Sequence, residues 1–152
     1  MAPECLEPIF DLAVSSLPSL GGTKKIMAML HEHSALHGFR TMFIDNIQAV
    51  PVVNRQGQIV ANLSASDMRG ISVDNLKTLS LPVFEFLESI GRGVNQLVSV
   101  DQVATLSPDA TIERAVAKLL KLKLHRLWVC EDDSETLSGV VSMTDILRLL
   151  TL

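Results

Sequence analysis

Two short patterns in this chain combine residues able to hold a sugar and a phosphate. Ser64-Ala65-Ser66-Asp67 and Ser142-Met143-Thr144-Asp145 share the form Ser-x-x-Asp, and each follows an apolar run. A carboxylate only accepts hydrogen bonds and has two oxygens, so one Asp can take both protons of a vicinal diol. The Ser and Thr hydroxyls, with the free N–H groups of a helix start, can donate to ring nitrogens or phosphate oxygens. A structural role competes with this reading, in which Asp67 and Asp145 are simply helix N-caps. The two roles are compatible.

His125-Arg126 is the second constellation. Arg126 offers a planar fork of donors suited to phosphate, and His125 a donor that is neutral or charged. Lys121 and Lys123 add positive charge nearby in an otherwise acidic chain. A solvent-facing pair that reaches Glu131 or Asp132 is the competing reading.

Other candidates are weaker. His31-Glu32-His33 with His37 lacks the His pair enclosing a Glu that a helical zinc site uses, and a loop leading into a helix is expected there. Gly21-Gly22-Thr23-Lys24-Lys25 lacks the spacing of a phosphate loop. Cys5 and Cys130 each stand beside an acid, Glu4 and Glu131, which disfavours a reactive thiolate. Met27, Met29, Met42, Met68 and Met143 suit gap-filling in a core. No nucleophile–base pair is visible, so an enzyme is not expected.

The elements around these patterns form a duplication. Ile47 to Val53, a turn, Gln58 to Leu63 and the first Ser-x-x-Asp match Leu124 to Cys130, a turn, Leu137 to Val141 and the second, with one extra residue in the second turn. A half-repeat rarely buries its apolar face alone, so the two copies belong together. Short runs rich in Val and Ile predict buried strands. Before them, Leu36, Phe39, Phe43 and Ile44 in one copy, and Ile112, Val116, Leu119 and Leu120 in the other, recur at helical period. A helix follows each Ser-x-x-Asp, and short extended segments at Lys25–Leu30 and Gln102–Leu106 precede each copy. Between the copies, Ile71 to Asn95 reads as a partly helical connector, broken at Pro82 and ending at Gly91-Arg92-Gly93.

The bulk numbers agree with a compact unit of ordinary size. The chain has 152 residues, 47% hydrophobic and 20% charged, enough for a core. A formal net charge of −4 argues against a nucleic-acid partner held by a basic field. Two cysteines make no disulfide framework and suggest a reducing compartment. The apolar stretch in residues 1–20 is interrupted by Glu4, Glu7 and Asp11 and lacks the basic start of a secretory signal. No apolar run is long enough to span a bilayer. A cytoplasmic or nuclear protein without a membrane partner is expected.

Val50-Pro51-Val52-Val53, the Asn54-Arg55-Gln56-Gly57 turn and Gly139-Val140-Val141-Ser142-Met143-Thr144-Asp145 resemble paired cystathionine β-synthase (CBS) domains, also called a Bateman module. Leu124-His125-Arg126-Leu127 with Val140 to Leu147 is similar in particular to the C-terminal pair of AMP-activated protein kinase γ subunits. The resemblance implies a mixed α/β (α+β) fold of two pseudo-symmetric repeats, each a small three-stranded sheet with two helices. It divides the chain into an N-terminal extension (1–20), a first repeat (21–75), a connector (76–95) and a second repeat (96–152). It also implies a non-catalytic regulatory module that binds AMP, ADP or ATP without a required metal and signals to a partner such as a kinase complex. In the better-matched site Asp145 holds the ribose, with Ser142 and Thr144 beside it, His125 at the phosphate, and Thr23, Ala28, Ile47 and Ala49 around the nucleotide. In a second, weaker site Asp67 takes the ribose role with Ser64 and Ser66, Val103, Ala104 and Leu124 wall the base, and Arg126 faces phosphate. The first copy departs from the pattern at Ala61, where the second has Gly139, and at Gln48, where a small hydroxyl residue is expected. The alternative is a ligand-free interaction or homodimerisation domain.

Overall fold

The computed structural model describes residues 7–16, 26–91 and 103–151. The described residues of Met27–Val103 form one compact unit, and those of Met1–Ile26 and Ala104–Leu152 form the other. In chain order the elements are α1 (Glu7–Phe10), β1 (Met29–Leu30), α2 (Ala35–Asp45), β2 (Ala49–Val53), β3 (Ile59–Ser64), α3 (Val83–Ser89), β4 (Thr105–Leu106), α4 (Ile112–Leu122), β5 (Arg126–Cys130), β6 (Leu137–Ser142) and α5 (Met143–Leu150). Among the described residues three 3-10 helices add to these, at Val14–Ser16, Ala65–Gly70 and Val73–Ser80.

Each unit holds a three-stranded sheet, in the order β1-β2-β3 and β4-β5-β6. The first strand of each runs parallel to the second and the third antiparallel. Even the irregularities repeat, with a register shift between Val52 and Val53 in one sheet and between Val129 and Cys130 in the other. These shifts fall beside Val60 and Ser138, the residues that the pairing skips. An extra residue in one strand bends it and increases its twist. Two mixed α/β repeats of one plan, each with a three-stranded sheet, are what the sequence predicts.

Both pre-strand helices begin with a hydroxyl cap, Ser34 accepting from His37 N–H and Thr111 from Arg114 N–H. Both end in a left-handed residue, Asn46 and Lys123, each at φ 52°. Their packing differs from the sequence expectation. On α4, Ile112 and Leu119 enter the core as predicted, Ala115 joins them, Val116 packs at the edge, and Leu120 is exposed. On α2 the core face is Ala35, Gly38 and Met42, with Phe39 at its edge, while Leu36, Phe43 and Ile44 are exposed. The reason is a close approach. A β-carbon at Gly38 would collide with the side chains of Leu63 and Met29, so the helix lies down on its small residues.

The helix expected after Ser64 is a 3-10 turn that stops at Gly70, not an α-helix like α5. Gly70 lies against Ile90, where a β-carbon would come within 2.6 Å of the Ile90 Cβ. The chain then leaves in an extended conformation at Ile71. The connector is partly helical, and Pro82 stands at the N-cap of α3, separating it from the preceding 3-10 helix. Val83, Phe86 and Leu87 of α3 are fully buried with Val50, Val52, Ala61 and Leu63 of the first sheet. The N-terminal residues do the corresponding thing in the other unit: Val14 is fully buried and Phe10 packs at the edge of the core of Leu106, Ile112, Leu127, Val129 and Val141. Among the described residues no helix is long and apolar enough to cross a membrane.

Candidate functional site

The second repeat gathers the candidate residues around the start of α5. Its sheet pairs Arg126 with Ser142 across β5 and β6, and the Met143 N–H donates to the His125 carbonyl at 2.9 Å. Leu124, His125, Arg126, Ser142, Thr144 and Asp145 therefore sit at one end of one sheet. Ala104 accepts from the Trp128 N–H, which fixes the edge strand beside them.

Ser142 caps α5, and Asp145 closes a capping box with it. Asp145 Oδ2 accepts from the Ser142 N–H at 3.1 Å and from the Ser142 hydroxyl at 2.7 Å, while the Asp145 N–H donates to Ser142 Oγ at 3.2 Å. Asp145 is 4% exposed, and its Oδ1 lies 3.9 Å from Arg148 Nη1. Arg148 was absent from the sequence-level site. Its position three residues after Asp145 on one helix is the signal that could have found it. The acid also sits where the helix dipole favours negative charge.

His125 and Thr144 are exposed at this end. Arg126 is half-buried, and among the described residues no carboxylate pairs with it. Burial alone pushes its guanidinium below the ordinary range. Neither Glu131 nor Asp132, the acids that could have neutralised it, does so. Asp132 instead accepts from the Ser107 hydroxyl at 2.7 Å.

The first repeat builds the same frame with different side chains. Ala49 pairs with Ser64, and the Ala65 N–H donates to the Gln48 carbonyl at 2.9 Å. Asp67 is buried, and its Oδ2 accepts from the Ser64 N–H at 2.8 Å and the Ser64 hydroxyl at 3.3 Å. Ser64 and Ser66 share a hydroxyl contact of 2.7 Å. Gln48 and Ala49 occupy the places of His125 and Arg126, so this copy offers no cation there. Ile47 is half-buried against the first core, Ala49 and Val103 are buried, and Ala28 is exposed. Thr23 lies outside the described residues, as does Cys5.

The remaining candidates have other employment. Glu32 accepts from Arg55 at 2.8 and 3.1 Å, His31 stacks on Phe84, and the His33 and His37 rings touch at 4.5 Å between centroids. The Cys130 thiol is pushed up to about 11, mainly by burial and further by Glu135 and Glu131. In a Cys5→Ser variant at pH 8, Cys130 is therefore expected to react with a thiol reagent only on the timescale of unfolding. Labelling as fast as in denaturant would contradict that burial.

A family model for the CBS domain matches residues 81–152. The fold is similar to that of solved CBS pairs. CBSX2 in complex with AMP aligns with a TM-score of 0.67 at 18% identity, covering 91% of this chain and 96% of that one. By the family-model match the second repeat belongs to the CBS-domain family, and the chain has the fold of a CBS pair. A second CBS pair, from protein MJ0100 in complex with 5′-methylthioadenosine and S-adenosyl-L-methionine, aligns with a TM-score of 0.66 at 18% identity, over 92% of this chain and 96% of that one. Relatives of this CBS pair include the SNF1-related protein kinase regulatory subunit gamma-like PV42a of Arabidopsis thaliana, 34% identical over 107 residues, covering 70% of this chain and 28% of the relative. The 5′-AMP-activated protein kinase subunit gamma-3 of Sus scrofa is 28% identical over 134 residues, covering 86% and 24%. Protein SDS23 of Kluyveromyces lactis is 29% identical over 124 residues, covering 72% and 24%. The CBS pair thus spans about a quarter of the length of these curated relatives.

Proposed function

We propose that this CBS pair is a non-catalytic regulatory module that binds an adenine nucleotide through its second repeat and passes occupancy to a protein partner. One observation carries the reading. Arg126 holds a partly desolvated positive charge with no acid beside it among the described residues, next to exposed His125 and the start of α5. An unpaired, half-buried guanidinium gains more from a phosphate than a solvated one does, because less water must be removed to make the contact. The Asp145 carboxylate supplies the acceptor that a ribose needs, with Ser142 and Thr144 around it. Thr23, Ala28, Ile47 and Ala49 are the first-repeat residues assigned to the same nucleotide. The resemblance gives Arg126 to the second, weaker site, with Asp67, Ser64, Ser66, Val103, Ala104 and Leu124; its pairing with Ser142 across the second sheet is the ground for reading it here with Asp145 instead. The similar proteins support the ligand class, since one solved CBS pair is in complex with AMP and another with 5′-methylthioadenosine and S-adenosyl-L-methionine. Kinase-subunit relatives support a kinase complex as the partner.

Calorimetric titration with AMP, ADP, ATP and S-adenosylmethionine tests the proposal. A phosphorylated adenosine is expected to bind, and Arg126→Ala is expected to weaken it about tenfold or more, the loss of one charge-assisted contact. Unchanged affinity in Arg126→Ala, or no binding by any of the four compounds, would sink it.

A second reading has its own observation. Phe43 is 87% exposed, and Leu36 and Ile44 of the same helix are also exposed. Apolar side chains grouped this way mark a protein-facing surface. On this reading the pair is an interaction or homodimerisation domain, and the two roles can coexist. Sedimentation of the wild type and of Phe43→Glu distinguishes them: self-association lost in the variant supports the homodimer, and a wild-type monomer removes it.

A further inference from the structure

Each repeat is completed by the segment of chain that precedes the other. In the first unit, Pro82 bridges Ser34, the N-cap of α2, in an antiparallel pair. The Ala35 N–H donates to the Leu81 carbonyl at 3.1 Å and the Val83 N–H to the His33 carbonyl at 3.0 Å. In the second unit, Ala13 bridges Thr111, the N-cap of α4. The Ile112 N–H donates to the Leu12 carbonyl at 3.0 Å, the Val14 N–H to the Ala110 carbonyl at 2.9 Å, and the Ser15 N–H to the Pro108 carbonyl at 2.9 Å. Leu12-Ala13-Val14 therefore does for α4 what Leu81-Pro82-Val83 does for α2. In both, the third residue is a fully buried valine.

The physical logic is specific. The first N–H groups of a helix have no partner within it. Thr111 satisfies the Arg114 N–H through its hydroxyl, and the docked segment satisfies the Ile112 N–H. Recognition is mostly main-chain, which gives affinity, while Val14 fills an apolar site beside Ile112, which gives selectivity. The middle residue of the segment donates no hydrogen bond to the helix, which is why proline serves there in the first unit.

We propose that the second repeat carries a docking surface, formed at Pro108 to Ile112, for a short extended segment of the pattern aliphatic, small, β-branched. In this chain Leu12-Ala13-Val14 occupies it, and the same segment supplied from outside exchanges with it. The surface is independent of the nucleotide reading, because it lies at the start of α4 and His125 follows that helix's other end.

Hydrogen exchange of the full chain, followed by mass spectrometry, tests this with three samples. Val14→Pro removes the N–H that holds Ala110, and exchange in the first turn of α4 is expected to quicken by about tenfold or more, with α2 and α3 of the first unit unchanged. Ala13→Pro is expected to leave protection at the wild-type level, since that N–H is not used. A synthetic peptide of residues 7–16 added to Val14→Pro is expected to restore protection at α4. Wild-type protection in Val14→Pro overturns the proposal, as does equal loss in Ala13→Pro. Loss of protection in both units overturns the claim that the surface is local, and no restoration by the peptide overturns exchange.

Discussion

Phe86→Ala is expected to cost about 3–5 kcal/mol and to loosen the first repeat while leaving the second intact. Phe86 is fully buried and belongs to α3, between the two sequence copies. Its ring meets Phe39 edge-on, with centroids 5.6 Å apart and planes at 85°, the arrangement aromatic pairs favour. It packs among Val50, Val52, Ala61 and Leu63, so truncation leaves a cavity lined by two strands and a helix that are held in place by other contacts. Such a site collapses poorly, which places the cost toward the upper part of the range. Urea titration followed by hydrogen exchange reads the result. A loss below about 1 kcal/mol would mean that α3 is an ornament on the repeat rather than part of its core.

Asp145→Ala and Asp145→Asn separate the two roles of the second Ser-x-x-Asp. Alanine removes the acceptor for both the Ser142 N–H and the Ser142 hydroxyl, and an unsatisfied buried donor costs about 1–3 kcal/mol. Asparagine keeps a carbonyl oxygen able to accept from Ser142, so it is expected to fold with a smaller loss. It has only one acceptor oxygen, though, and cannot receive both protons of a diol while capping. Ligand at a hundred times its Kd stabilises by about 2.7 kcal/mol, and that gain is expected to vanish in Asp145→Asn. Thermal unfolding with and without AMP measures both effects at once. If Asp145→Asn gained as much from AMP as the wild type, Asp145 would be a helix cap and nothing more.

Much of this was legible in the sequence, because the strands and their order are written in short local runs. Ala49–Val53 and Arg126–Cys130 announce themselves by composition, and the repeated Ser-x-x-Asp marks where each third strand ends. The sequence offers Asp145 as an N-cap, whereas Ser142 holds that place and Asp145, three residues on, closes the capping box. Two things could not be read. Periodicity on α2 finds Leu36, Phe43 and Ile44 as an apolar face but cannot say that Gly38 lets the opposite face lie closest to the sheet. Nor does any local pattern reveal that Leu12 and Val14 serve α4, because those bonds are made by the main chain across a long stretch of sequence. At the site, spacing identified Arg126 and His125. The half-buried, unpaired state of the guanidinium depends on what surrounds it in three dimensions.

The reciprocal docking of Leu12-Ala13-Val14 and Leu81-Pro82-Val83 has a consequence for synthesis. A chain leaves the ribosome from its N-terminus at about 5–20 residues per second. Everything the first sheet needs, through α3, emerges as one continuous stretch and can fold as soon as it is out. The N-terminal segment emerges earlier still, yet the helix start that receives it is made seconds afterward. During that interval Val14 and Phe10 have no core to enter, and residues made much later close over them.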